Sequence, residues 1–367
     1  MRAETREVCA KYSVQIATGE GERAGLRPFN NCIKAQLIET SVRASPGARA
    51  GRRTAALDMC GGCGGDLPKY GSCGVAEVVI ADGSAETVAE ARQRHAAMEK
   101  TAAARGAAVP PALKTIVADC TIPGLAQMPE IGEGTRDVVA CQFALHYAFC
   151  SRDALDGILS NAADALCDGG WFIGTMVDAN AVVRRALAAD AADGGARRRA
   201  GGPVSFGNSL YGIAFRGSPQ RAAQKTLQFT TFGDGAKYEF TLNRRIDAVP
   251  EWLAHFETLR SRAGLAGLDV VEDMTMPFLD FYESRVSPEI AAAFGLAHPR
   301  AWRSDAPGRA APDDCRGRAA APGRGRVRQT ETMLTDDERE VAELYATFAF
   351  ARSARTRGVK RPGAEAE

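Results

Sequence analysis

The sequence predicts an α/β fold: a doubly wound, mostly parallel sheet with an inserted antiparallel and helical subregion. Two observations carry this. Five short apolar runs are separated by stretches that suit helices, and the first run ends directly in a glycine-rich turn. Runs apolar at every position suit strands covered on both faces, and strands alternating with helices imply βαβ units. The runs are 54–59 (TAALDM), 76–82 (AEVVIAD), 113–119 (LKTIVAD), 137–143 (DVVACQF) and 170–176 (GWFIGTM). Ser84 to about Lys100 reads as an amphipathic helix, and residues 151–166 as a second one.

From about residue 203 the pattern changes. VSFGNSLYGIAF, KTLQFTTF and AKYEFTL are short, alternating and aromatic, which predicts antiparallel strands. PEWLAHFETLRSRAG (250–264) has Pro in its first turn and Gly at its end, so it reads as a helix. LDVVEDM (268–274) and YATFAFAR (345–352) are late strands able to extend the main sheet. Residues 191–202 and about 301–329 are rich in Ala, Gly, Arg and Pro, with too little apolar surface to offset ordering entropy. Both are expected to be mobile loops. The expected organisation is a partly mobile N-terminal segment over 1–26, a single domain over 27–352 and a disordered tail over 353–367.

The 367 residues carry a formal net charge of +1, which excludes a strongly basic coat for non-specific nucleic-acid binding but not a basic groove. No apolar run reaches the roughly 18 residues of a membrane span, and the N-terminus lacks the apolar stretch of a secretory signal. Ten cysteines without framework spacing read as free thiols in a reducing compartment. Cys60, Cys63 and Cys73 begin like a zinc site, but no fourth ligand follows at a suitable spacing, so no metal is expected.

Chemistry concentrates in ALDMCGGCGGD (56–66), where closely spaced glycines let a ligand approach the backbone. In open α/β sheets ligands sit at the carboxyl ends of the strands. There Asp58, Asp82 and Asp119 close the first three strands: Asp82 suits ribose hydroxyls, Asp119 an adenine amino group and Asp58 an ammonium group. One such Asp is an ordinary turn former; three beside a glycine-rich loop point to a nucleoside-like ligand. The spacing is not the G-x-G-x-x-G of dinucleotide folds, and no P-loop is present.

The chain resembles the eukaryotic and large-DNA-virus mRNA cap guanine-N7 methyltransferases over most of residues 10–352. RPFNNCIK (27–34), LDMCGGCGGDLPKY (57–70), CQFALHYAF (141–149), GGWFIGTMVD (169–178), SFGNSLY (205–211), VPEWLAHF (249–256), FLDFYE (278–283) and LYATFAF (344–350) carry the resemblance. The FNN-x2-K and QF-x2-HY segments are the specific ones. The resemblance implies a Rossmann-like class I methyltransferase using S-adenosylmethionine to methylate N7 of the guanosine cap of RNA.

By that resemblance Lys34, Asp58, Cys60, Asp82, Asp119, Gln142 and Tyr147 contact the cofactor. Asn30, Asn31, Cys63, Lys69, Arg94, His146, Glu251 and Tyr345 contact the cap, with 203–265 forming part of its pocket. Lys69 and Arg94 would meet the phosphate bridge and Glu251 the N1 and amino groups of guanine. None is a nucleophile; His146, Tyr147 and Glu251 position the base. The resemblance further implies a monomer acting on capped RNA, other capping enzymes or RNA polymerase II as partners, and a nuclear location (cytoplasmic for a viral protein). Three departures stand out. Cys60 replaces the first loop glycine, Cys63 replaces the loop lysine, and no arginine follows Tyr12-Ser13 at the family's spacing. Two other readings stay open: a methyltransferase of this fold acting on a small molecule or protein, and a non-catalytic cap-binding protein whose cofactor site has decayed.

Overall fold

The computed structural model describes residues 2, 3, 6, 8, 25–217, 223–242, 246–297 and 333–354. The insertion expected over 301–329 and the tail beyond Ala354 lie outside the described residues, as does most of segment 1–26.

Five parallel strands form the centre: β1 (Ala55–Met59), β2 (Glu77–Asp82), β3 (Ala112–Val117), β4 (Arg136–Gln142) and β5 (Leu166–Val177). Each falls on an apolar run read from the sequence. Two late strands, β10 (Leu268–Val270) and β11 (Tyr345–Arg352), extend the sheet antiparallel beside β5. The order is β3-β2-β1-β4-β5-β11-β10. The chain winds outward one way from β1 and the other way from β4, so the switch point lies between them. This is the doubly wound, Rossmann-like sheet of the class I methyltransferases, as expected from the sequence.

Helices cover the sheet: α1 (Leu26–Ala44), α2 (Leu67–Ser72), α3 (Ala85–Arg105), α4 (Arg152–Ala165) and α5 (Ala179–Ala192). Local chemistry sets their ends. Ser84 and Ser151 each accept a backbone N–H at a helix start. Gly106 ends α3 at φ 58°, a left-handed geometry that glycine adopts freely. Among the described residues no helix is long and apolar enough to cross a membrane.

The insertion is a four-stranded antiparallel sheet, β6 (Val204–Gly207), β7 (Tyr211–Phe215), β8 (Lys237–Leu242) and β9 (Ile246–Trp252), in sequential order. Here the sequence reading needs correcting. Pro250 and Glu251 belong to strand β9, and helix α6 (Phe256–Leu265) starts only after them. β9 is an edge strand, where a proline without an N–H is tolerated, and Val249, Trp252 and Leu253 are buried. KTLQFTTF is not a strand. Its aromatics plug gaps instead: Phe229 meets Phe215 edge-on at 5.1 Å and Phe232 stacks on Phe149 at 5.9 Å. The late strand read over 268–274 stops at Val270 and continues as a 3-10 turn.

The stretch 191–202 also differs from expectation. It contains a helical turn, Ala196–Arg199, in which Arg198 is buried. Its guanidinium pairs with Asp190 at 3.0 Å and donates to the Lys225 carbonyl at 3.3 Å. A buried charge so fully bonded offsets the ordering entropy that composition alone left uncompensated. Three further helices, α7 (Phe278–Arg285), α8 (Pro288–Ala293) and α9 (Asp336–Ala342), lie late in the chain.

Candidate active site

The carboxyl ends of β1 and β4 open onto the glycine-rich loop. Asp58 is buried near the end of β1, beside Ala140 of β4. A side chain at Gly61 would bring a Cβ within 2.9 Å of the Asp58 carboxyl group, so only glycine leaves this approach open. Asp82 organises the loop: it accepts from Gly62 N at 2.9 Å, and from Ser84 N and Thr87 Oγ1 at the start of α3. Asp119 lies two residues beyond β3 and accepts from Thr121 N, Thr121 Oγ1 and the backbone N of Arg2. The N-terminal segment thus reaches the carboxylate read as the adenine contact.

Cys60 sits at φ 55°, in the left-handed region that glycine adopts freely and a side chain strains. Its thiol contacts Cys120 and Cys141, not Cys63. Cys63 lies next to Arg94 and Glu90 of α3, and burial pushes its thiol up from the usual range. Among the described residues no group of three or more His, Cys, Asp or Glu is placed to hold a metal ion.

A cleft of about 840 Å³ runs from α1 and α2 to β9 and β11. Seven of the residues read from the sequence line it: Asn30, Asn31, Lys34, Lys69, His146, Glu251 and Tyr345. Of the cap candidates Cys63 and Arg94 do not, and of the cofactor candidates Asp58, Cys60, Asp82, Asp119, Gln142 and Tyr147 do not; Arg94 pairs instead with Glu90 at 2.7 Å on the exposed face of α3. At one end Asp66, buried, takes two ammonium groups: Lys34 Nζ at 2.8 Å and Lys69 Nζ at 2.7 Å. Lys69 donates further to Asn31 Oδ1 at 2.9 Å. Burial works against ionised Asp66, but Lys34 and Lys69 outweigh it and hold the carboxyl below its usual range. Burial likewise lowers Lys69, against the pull of Asp66. Asp58 moves the other way. Burial, reinforced by Asp66, raises its carboxyl well above the ordinary range, with Lys34 opposing.

At the other end Glu251 is buried on β9. Tyr238 donates to its Oε2 at 2.8 Å, Tyr147 to its Oε1 at 3.3 Å, and His146 Nε2 lies 3.4 Å from Oε1. The wall between the two ends is aromatic. Phe143 meets Tyr345 edge-on at 5.2 Å and Phe278 at 5.8 Å, and Lys34 Nζ lies 5.9 Å above its ring. Phe143 itself is held at φ 55° by its N–H donating to Thr175 Oγ1 at 2.9 Å. The sequence reading gave no role to Asp66, Tyr238 or Phe143. Asp66 and Phe143 stand inside segments that carry the family resemblance, while Tyr238 stands in the strand segment AKYEFTL with nothing local to mark it as functional.

Several buried polar atoms here lack a protein partner: Asn30 Oδ1, Asp58 Oδ1 and both amide atoms of Gln142, with the His146 nitrogens in no aligned hydrogen bond. Native proteins leave few such atoms; Asn30 and His146 line the cleft, while Asp58 and Gln142 lie outside its lining near the carboxyl ends of β1 and β4, and all four keep capacity for a ligand. The donor set suits an amino-acid end and a nucleobase: a carboxylate for an ammonium, lysines for a carboxylate or phosphates, and a buried glutamate for N–H groups. Fold and site together define a Rossmann-like methyltransferase.

The family model for the mRNA (guanine-N(7))-methyltransferase domain matches residues 3–353, and the chain belongs to that family. It is 31% identical over 292 residues to the mRNA cap guanine-N(7) methyltransferase of Drosophila melanogaster, covering 77% of this chain and 63% of that protein. It is 33% identical to that of Saccharomyces cerevisiae, covering 71% of this chain and 54% of the relative. Methyltransferase 1 of Oryza sativa is 29% identical, with 95% and 82% covered. The chain therefore spans between about half and two thirds of the first two relatives' length.

Proposed function

We propose that this chain transfers the methyl group of S-adenosylmethionine to N7 of the guanosine cap of RNA. The observation that carries the reading is the cleft with buried Glu251 at one end and the Lys34–Asp66–Lys69 cluster at the other. When bound, S-adenosylmethionine supplies an electrophilic methyl group on a sulfonium. Asp58 accepts the ammonium of its methionine end, Lys34 the carboxylate, and Gln142 the remaining polar groups there. Asp82 faces the ribose. Glu251 accepts from guanine N1–H and the 2-amino group, a pairing that a neutral acceptor could not match in strength. Lys69 draws the phosphate bridge to the cationic end, with Asn30 and Asn31 closing beside it. His146, Tyr147 and Tyr345 border the base.

Guanine N7 carries a lone pair and no proton, so no general base is required. These residues hold and orient, which can contribute about 7–11 kcal/mol to lowering a bimolecular barrier. The RNA 5′ end is the proposed substrate. The test is transfer of labelled methyl to guanosine-capped RNA, with GTP and uncapped RNA as comparisons. Glu251→Ala is expected to lower capped-RNA turnover roughly a hundredfold, from the loss of about 3 kcal/mol in charge-assisted hydrogen bonds, while cofactor affinity holds. Loss of cofactor affinity with normal cap turnover would refute the assignment, and efficient methylation of uncapped RNA would refute the substrate.

A further inference from the structure

Glu251 is held by a residue outside every motif that carries the family resemblance. β8 and β9 pair antiparallel with Tyr238 directly opposite Glu251. Tyr238 is buried, and its ring leans on Phe215 at 5.5 Å with 51° between the planes. That packing aims the hydroxyl at Glu251 Oε2, 2.8 Å away. The other oxygen, Oε1, faces Tyr147 and His146 from the 3-10 turn after β4. Lys34 and Lys69 line the same cleft from α1 and α2.

A glutamate's terminal torsion is broad, so the plane of an unrestrained carboxylate is poorly defined. Reading two parallel N–H groups needs both oxygens in the plane of the base. Donors on both oxygens, from two different elements, remove that rotational freedom. Each carboxylate oxygen has about two lone-pair sites, so accepting from Tyr238 leaves Oε2 able to accept from a ligand.

We propose that Tyr238 is a positioning residue for base selection: its hydroxyl sets the plane of Glu251 so that both oxygens face the N1–H and 2-amino edge of guanine. The inference rests on the guanine role of Glu251 proposed above. Tyr238→Phe keeps the ring and its packing and removes only the hydroxyl. The assay measures methyl transfer to guanosine-capped and inosine-capped RNA; inosine lacks the 2-amino group. KM for the guanosine cap is expected to rise about tenfold, as for loss of one hydrogen bond to a charged group. The preference for guanosine over inosine is expected to fall several-fold, with S-adenosylmethionine affinity unchanged. In a Glu251→Ala background, Tyr238→Phe is expected to add nothing.

Equal losses on both caps with the preference intact would overturn the inference, as would an additive effect in the Glu251→Ala background. Glu251→Ala alone separates the two layers. Unchanged cap turnover in it defeats the guanine reading itself, whereas lost preference in it with full preference in Tyr238→Phe defeats only the role of Tyr238.

Discussion

Asp66→Asn perturbs the cationic end of the cleft most directly, because one carboxylate there restrains two lysines. The Asp66 side chain is 7% exposed, Lys69 9% and Lys34 15%, so the three charges are nearly out of water. Removing one partner of a buried pair typically costs about 3–5 kcal/mol, since the remaining charge stays desolvated. Asparagine keeps a carbonyl acceptor, which places the expected loss near 3 kcal/mol at pH 7. The pH dependence has a definite sign. The folded Asp66 carboxyl lies below its unfolded value of about 3.9, so its stabilisation is full above that value and disappears as pH falls through the folded one. Urea unfolding of wild type and Asp66→Asn at neutral pH and near pH 3 reads both. The stability gap should be about 3 kcal/mol at neutral pH and should narrow in acid. A neutral gap under about 1 kcal/mol, or the same gap at both pH values, would refute the reasoning.

Two further predictions concern the cofactor end. Asp58, raised by burial, contributes stability below the ordinary carboxyl range that is lost as pH rises through its folded value. A bound ammonium would ionise it, so S-adenosylmethionine binding should release a proton at a pH below the folded value of Asp58, measured by calorimetry across pH in buffers of different ionisation enthalpy. Binding heats independent of buffer, or a release that persists in Asp58→Asn, would contradict this. Cys60→Gly should leave the protein between unchanged and about 1.5 kcal/mol more stable than wild type. Relief of about 1–2 kcal/mol of left-handed strain is set against about 0.5–1 kcal/mol of added chain entropy in the unfolded state. A loss above about 2 kcal/mol in thermal or urea unfolding would mean that the thiol's contacts with Cys120 and Cys141 outweigh the strain.

The central parallel strands were legible because their burial is a property of each segment alone, whereas β3, at the sheet edge, has no buried residue. β2 and β4 carry unbroken apolar stretches at their centres, VVIA and VVAC, which suit a sheet covered on both faces. β9 was misread because its evidence is not local. Proline followed by Glu-Trp satisfies the rules for a helix start, and what makes the segment a strand is β8, whose Tyr238 pairs across from Glu251. The two aromatics of QFTTF alternate like a strand, yet Phe229 and Phe232 fill separate gaps. Arg198 stands in a run of three arginines that looks solvated, and only the fold supplies Asp190 to bury it.

The candidate site divides along the same line. Residues whose role depends on chain position were visible: acids at strand ends, glycines in the loop, and Asn30 and Lys34 one turn apart on α1. Residues whose role depends on side-chain direction were not. Arg94 has the charge expected of a phosphate contact, but its place on α3 turns it toward Glu90 and solvent. Asp66 looked like part of a backbone loop until α1 brought Lys34 against it beside its own i+3 lysine. That cluster also bears on the family departure at Cys63. With a neutral thiol in place of the loop lysine, and Arg94 turned away, Lys34 and Lys69 are left as the lysines lining the cleft, and both are fixed by one buried carboxylate. Among the described residues Asp66 is the carboxylate that pairs with both lysines, so its loss would free both ammonium groups at once.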